Sequence, residues 1–152
     1  MLTSYDIARE WAAAMAADAA LRAAFVDAYG KAPDIRVGYE PDNMPGEKDA
    51  PVIMLDPEGW KEPTEPATLH RISISVGVFD DAWMDVDGVR VLRGLHLLDA
   101  VFVRRVLEII EDAVPDVHPD GVQVDYDPAL FPLLYVDAAI TIELRRPMGA
   151  NR

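Results

Sequence analysis

The chain has no cysteine, which rules out disulfides, thiolate metal sites and cysteine nucleophiles together and suits the cytoplasm. Histidine is nearly as scarce. His70, His96 and His118 fall in three different segments, none of them i, i+4 from another. That spacing lacks the helical His pair of a zinc enzyme, and all three read as surface or strand-edge residues. There is no Walker-type loop, no paired-glycine dinucleotide loop and no Gly-x-Ser-x-Gly elbow, so phosphate cradles and serine-hydrolase chemistry have no motif to stand on. The apolar runs are only a few residues long, far below the roughly 20 needed to cross a bilayer. The N-terminus lacks a basic region followed by an apolar core, so no signal peptide is expected.

Positive charge is also in short supply. Lys and Arg number 14 against 27 Asp and Glu, a net charge of −13. Such a surface repels phosphate, because nucleic-acid affinity comes largely from Lys and Arg displacing counterions. Gripping DNA or an anionic membrane is therefore not expected. Two readings of the acidity remain open: it keeps the protein soluble, or it lets DNA pass without sticking.

What is present is a core. At 152 residues and 51% apolar composition, the chain is long and greasy enough for one globular domain over residues 1–147, with 148–152 as a flexible tail. Thr3-Ser4-Tyr5-Asp6 resembles a capping box, and the alanine-rich stretch behind it predicts one helix running to about Tyr29, stopped by Gly30. Ile35–Tyr39 and Pro51–Leu55 read as strands, the second an unbroken apolar run. Residues 56–68, with Pro57, Gly59, Pro63 and Pro66, read as a long loop. Ile72, Ile74, Val76 and Val78 alternate with Ser73, Ser75, Gly77 and Phe79, the period of a half-buried strand. Asp87-Gly88 between two apolar arms predicts a tight hairpin. A second helix from about Leu95 to Ala113 is apolar on more than one side, and the second side calls for a second contact surface. Val122–Tyr126 and Leu134–Leu144 supply the last strands. The expected fold is α+β: a mostly antiparallel sheet with two helices packed on one face and a protruding β-hairpin.

No reaction chemistry competes with a structural reading. Asp80, Asp81, Asp85 and Asp87 fail the EF-hand frame, because the first and last ligand positions would fall on Trp83 and Gly94, and they read as turn-forming or solvated acids. Arg104 and Arg105 lie at helical spacing from Glu108, Glu111 and Asp112, so they either pair locally or meet acids on a neighbouring subunit. Trp83 and Met84 either fold back on the domain or serve an interface, where such side chains are enriched.

The order of elements resembles the tail-terminator, or tail-completion, proteins of long-tailed bacteriophages and prophages. The likeness rests on the alanine-rich helix from Ala12 to Gly30, the Pro-led strand Pro51–Leu55, the strand from His70 to Phe79, the helix Leu98–Ala113 and the closing strand Tyr135–Leu144. The resemblance implies a homo-oligomeric ring, commonly a hexamer, that caps the tail tube and joins it to the head connector. Its partners would be itself and the tail-tube and head-connector proteins. DNA would pass through without specific binding, and no membrane is involved. It implies no catalysis, no cofactor and no metal, a place in the virion tail, and residence in the host cytoplasm during assembly. On this reading Trp83, Met84, Val86, Val89, Val91, Arg104 and Arg105 form the subunit interface, and Asp137 and Glu143 face the lumen. The alternatives are a small acidic module that masks a basic protein partner, and an enzyme with a deep pocket of clustered acids or histidines.

Overall fold

The computed structural model describes residues 2–38, 45–61 and 67–145. The expected tail at 148–152, the turn around Pro41 and Asn43, and the middle of the expected 56–68 loop lie outside the described residues.

The capping box is present. The Asp6 amide donates to Thr3 Oγ1 at 3.2 Å and the Thr3 amide to Asp6 Oδ2 at 2.9 Å, starting α1 (Ser4–Ala17). The first helical stretch is not one helix, however. Asp18, in extended conformation, ends α1 and caps α2 (Ala19–Tyr29) by accepting from the Leu21 amide at 2.8 Å. An Asp that bonds its own backbone competes with helix propagation, which is why the alanine-rich pattern did not carry through. Gly30 then closes α2 in left-handed conformation, as expected.

Five strands form the main sheet: β1 (Asp34–Val37), β2 (Val52–Lys61), β3 (Ala67–Phe79), β6 (Gly121–Leu130) and β7 (Leu133–Arg145), in the order β1-β2-β3-β7-β6. Among the described residues only the β1–β2 pair is parallel. The expected loop at 56–68 is largely strand. β2 continues through Pro57 and Gly59 to Lys61, with a register shift between those two residues, and β3 begins at Ala67. A Pro and a Gly are tolerated there because the bulge takes up the irregularity.

The hairpin forms its own two-stranded sheet, β4 (Trp83–Val86) with β5 (Val89–Leu92). Asp87 at φ 50° and Gly88 at φ 81° make the turn whose twist matches the strands. A helical rod follows: α3 (Arg93–Leu97), a π-helical stretch (Leu98–Val103) and α4 (Arg104–Asp112).

One buried cluster unites the helices with one face of the sheet. It joins Ile7, Trp11, Met15, Leu21 and Phe25 to Leu98, Phe102, Val106 and Ile110, and to alternate strand positions such as Ile53, Ile74, Val136 and Ile140. Phe25 stacks on Phe102 with ring centroids 3.8 Å apart. This corrects the expected surplus on the second helix. Its π-helical stretch meets β3 and β7 on one side and α2 on the other, and α4 packs on α1. Breaking the first helix at Asp18 lets two segments cover the rod, so Leu97, Val101, Leu107 and Ile109 are also packed against the core. Of its large apolar residues, Leu95 is left exposed.

On the opposite face a smaller cluster of Ala50, Val52, Met54, Leu133 and Tyr135 covers one end of the sheet. A Cβ on Gly77 would fall 2.4 Å from the Tyr135 ring, so glycine is what allows that ring to lie across β3.

Asp18 also holds Arg105 with both oxygens, Nη2 to Oδ1 at 2.6 Å and Nε to Oδ2 at 3.0 Å. One side chain thus shapes the helix break and pins it to α4. Asp18→Ala should lower unfolding stability by about 1 kcal/mol, the usual cost of an N-cap, and Asp18→Asn should recover most of it in chemical denaturation. An alanine variant as stable as the parent would show that the break is set by packing alone.

Candidate functional site

The hairpin arm is held at its base by a buried carboxylate. Asp80 ends β3 and accepts from Tyr29 Oη at 2.9 Å, from Arg93 Nε at 2.8 Å and from the Ala82 amide at 2.9 Å. Its side chain is 2% exposed. The Arg93 amide in turn donates to the Ala82 carbonyl at 2.9 Å. Burial, then the Asp80 carboxylate, pushes the Tyr29 phenol well above its ordinary range, so it remains a donor at any physiological pH. Asp80 is therefore not the solvated turn acid expected from its neighbours, while Asp81, Asp85 and Asp87 are exposed.

Beyond that base the arm stands in solvent. The register puts Trp83, Asp85, Arg90 and Leu92 on one side of it and Met84, Val86, Val89 and Val91 on the other. Trp83 is 51% exposed and Val89 60% exposed, while Met84, Val86 and Val91 are half-buried. The Arg90 guanidinium lies over the Trp83 ring at 4.9 Å, which holds the indole outward. Of the two arginines expected beside the arm, Arg104 is exposed, whereas Arg105 is consumed at home by Asp18 and by Glu108 at 3.0 Å.

A second exposed element went unread in the sequence. Among the described residues β6 pairs only with β7, so its other edge is free. On the helix side it carries Val122, Val124 and Tyr126, with Val122 44% and Tyr126 51% exposed. The Tyr126 hydroxyl donates to the Asp99 carboxylate on the π-helical stretch. The opposite side carries Gln123, Asp125 and Asp127. At the β6–β7 turn Leu130 and Phe131 are also exposed. The alternation of Val122–Tyr126 was legible; that the strand would be an edge was not.

The uncovered part of the sheet is acidic. Met54, Asp56, Glu58, Ser73, Ser75, Asp125, Asp137 and Ala139 line an open trough of about 370 Å³. Ser75 Oγ donates to Asp137 at 2.5 Å, and Ser73 Oγ to Glu58. Partial burial, reinforced by Glu58, lifts the Asp56 carboxyl above its ordinary value. Asp137 and Glu143 both project from this face, as their alternation predicts, Asp137 inside the trough and Glu143 further along β7. Asp125 stands directly opposite Asp137, a like-charge cross-strand pair of the kind that destabilises a sheet.

The histidines depart from expectation in one case. His70 is fully buried on β3, with Trp60 stacked on it at 6.2 Å. Ser4 Oγ donates to the Gly59 carbonyl at 2.7 Å and lies 3.1 Å from His70 Nδ1. The hydroxyl's one proton is committed, so Nδ1 carries the ring proton and donates to Ser4, and Nε2 has no partner among the described residues. His118 is exposed and sits against the Glu111 carbonyl at 2.8 Å. Among the described residues no three His, Asp or Glu side chains are grouped to hold a metal ion, and no helix is long and apolar enough to cross a membrane.

Neither a protein-family model nor a curated protein matches the chain.

Burial holds the His70 imidazole below its ordinary pKa. The unfolded chain therefore binds a proton that the folded chain refuses, and stability falls as pH drops below about 6.5. Denaturant midpoints at pH 7.5 and pH 5 should differ more for the parent than for His70→Leu. Equal losses in the two proteins would remove His70 as the titrating group.

Proposed function

We propose that this chain is a structural subunit, similar to phage tail terminators, that assembles with copies of itself into a ring. The ring would cap a tail tube and present a surface to the head connector, placing the protein in the virion tail. The observation that carries the reading is the hairpin arm. Its Trp83 and Val89 side chains stand in solvent, and a buried carboxylate fixes the arm's base. An exposed Trp braced by an Arg, with apolar residues on the reverse side, has the composition of an interface centre.

The acidic face supports the same reading. Carboxylates on a lumen wall repel a passing duplex, so DNA slides without being held. No catalytic role, cofactor or metal is part of the proposal, and the trough is an open surface lined by acids and hydroxyls. The same acids favour one competing reading, a module that masks a basic protein.

Trp83→Ala separates the two readings. It removes a half-exposed side chain, so the monomer should lose well under about 1 kcal/mol of stability. Self-association of concentrated protein, followed by light scattering and negative-stain microscopy, should weaken at least tenfold. Normal assembly of the variant would count against the arm, and a parent chain that copurifies with a strongly basic protein instead of forming rings would favour the module.

A further inference from the structure

We infer that the copies join edge to edge, the free edge of β6 on one subunit pairing antiparallel with the β1 edge of the next, so that the five-stranded sheets run on as one wall. The inference rests on the ring-forming reading above and names the surface that carries it.

Both edges are free among the described residues, since β1 pairs only with β2 and β6 only with β7. An unpaired edge presents a row of amide donors and carbonyl acceptors that another strand can satisfy. Direction is settled by the sheet itself. β1 and β2 run one way, β3 the other, β7 back again and β6 against it. Continuing the sheet with the same face outward therefore sets β6 antiparallel to the neighbour's β1. The union joins two different edges, which is the kind of contact that generates a ring.

The residues then match on both faces. Across the sheet, Arg36 pairs with Met54, Met54 with Ser75, Ser75 with Asp137 and Asp137 with Asp125. If this row runs around the ring, rotation alone brings the neighbour's Arg36 opposite Asp125. Among the described residues Asp137 accepts from Ser75 and Asp125 from Gln123, but neither is paired with a cation, and the seam supplies one. Arg36 is 39% exposed and already holds Asp34 at 2.7 Å and Asp49 at 3.3 Å, so at the seam its guanidinium would bridge these acids to Asp125 and screen Asp34 where it meets Asp127. On the helix side the same register sets Ile35 beside Tyr126 and Val37 beside Val124, covering the apolar stripe that β6 leaves in solvent. Six copies would put about thirty strands into a wall roughly 45 Å across at the usual strand spacing, with the acidic face free to line the opening.

A chain without cysteine makes the test clean. Val37→Cys and Val124→Cys are prepared separately and as a double variant, and folding is checked by circular dichroism. Under mild oxidation a mixture of the two single variants should give a disulfide heterodimer, and the double variant a ladder of multimers. Each single variant alone should give neither. Directly opposed antiparallel residues lie close enough for such a bond. As a second arm, Asp125→Arg and Arg36→Glu should each weaken association about tenfold, and the pair together should restore it to within about threefold. Dimers of Val124→Cys alone would show β6 pairing with β6 and overturn the inference. Rings that form normally without the mixed disulfide, in charge variants that associate like the parent, would overturn it too while leaving the ring reading intact. A parent chain that stays monomeric when concentrated, together with cysteine variants that yield no mixed disulfide, overturns both.

Discussion

The buried carboxylate of Asp80 is the constraint from which the exposed surface follows. A carboxylate removed from water is costly unless donors replace the lost hydration. Here three do: a phenol from the end of α2, a guanidinium from the start of α3 and an amide at the root of the hairpin. Those donors come from three elements, the phenol from 51 positions back along the chain. Satisfying one anion therefore fixes where α2 ends, where the rod begins and how the arm leaves the sheet. Gly94 completes the junction, since a Cβ there would fall 2.8 Å from the Leu134 side chain. In an arm anchored in this way Trp83 and Val89 stay in solvent while Met84, Val86 and Val91 are half-buried.

The rod shows how a helix that is apolar on more than one side can be covered within its own chain. A helix that is greasy all round implies two partners, and here both are intrachain, the sheet below and the α1–α2 pair beside it. Single apolar side chains are exposed on the helices too, at Tyr5, Val26 and Leu95, but several gather on the hairpin, on the outermost strand and at the β6–β7 turn. These are also the places with backbone groups or rigid side chains to present to another molecule.

Much of this fold was legible in the sequence because it depends on local rules. Alternation placed β3 and β7 and sorted their faces, Asp87-Gly88 set the hairpin, and Thr3-Asp6 and Gly30 marked helix ends. What escaped depends on partners distant in the chain. Asp18 breaks a helix of favourable propensity while binding an arginine 87 positions away. Pro57 and Gly59 read as loop residues, yet the pairing partner β3 keeps the chain extended through them. Asp80 and His70 look like surface residues until Tyr29, Arg93 and Ser4 arrive from elsewhere. The candidate site was legible in half: the arm was foreseen, but the free edge was not, because a strand's position within a sheet is not written in its own residues.

The acidity resolves into two populations with different physical meaning. Asp6, Asp18, Asp49 and Asp80 are spent on amides, guanidinium groups or a phenol within the chain. Asp56, Glu58, Asp125 and Asp137 instead gather in the trough, where the last two oppose each other across a strand pair. A surface acidic only for solubility has no reason to concentrate charge on one side of a sheet, still less to place like charges face to face. Segregation of this kind, with apolar residues on the helix side of the same edge strand, suits a wall whose two faces meet different surroundings. Ser75 and Gln123 donate to that pair without neutralising it, and a local rule broken in this way marks a surface suited to a partner's cation.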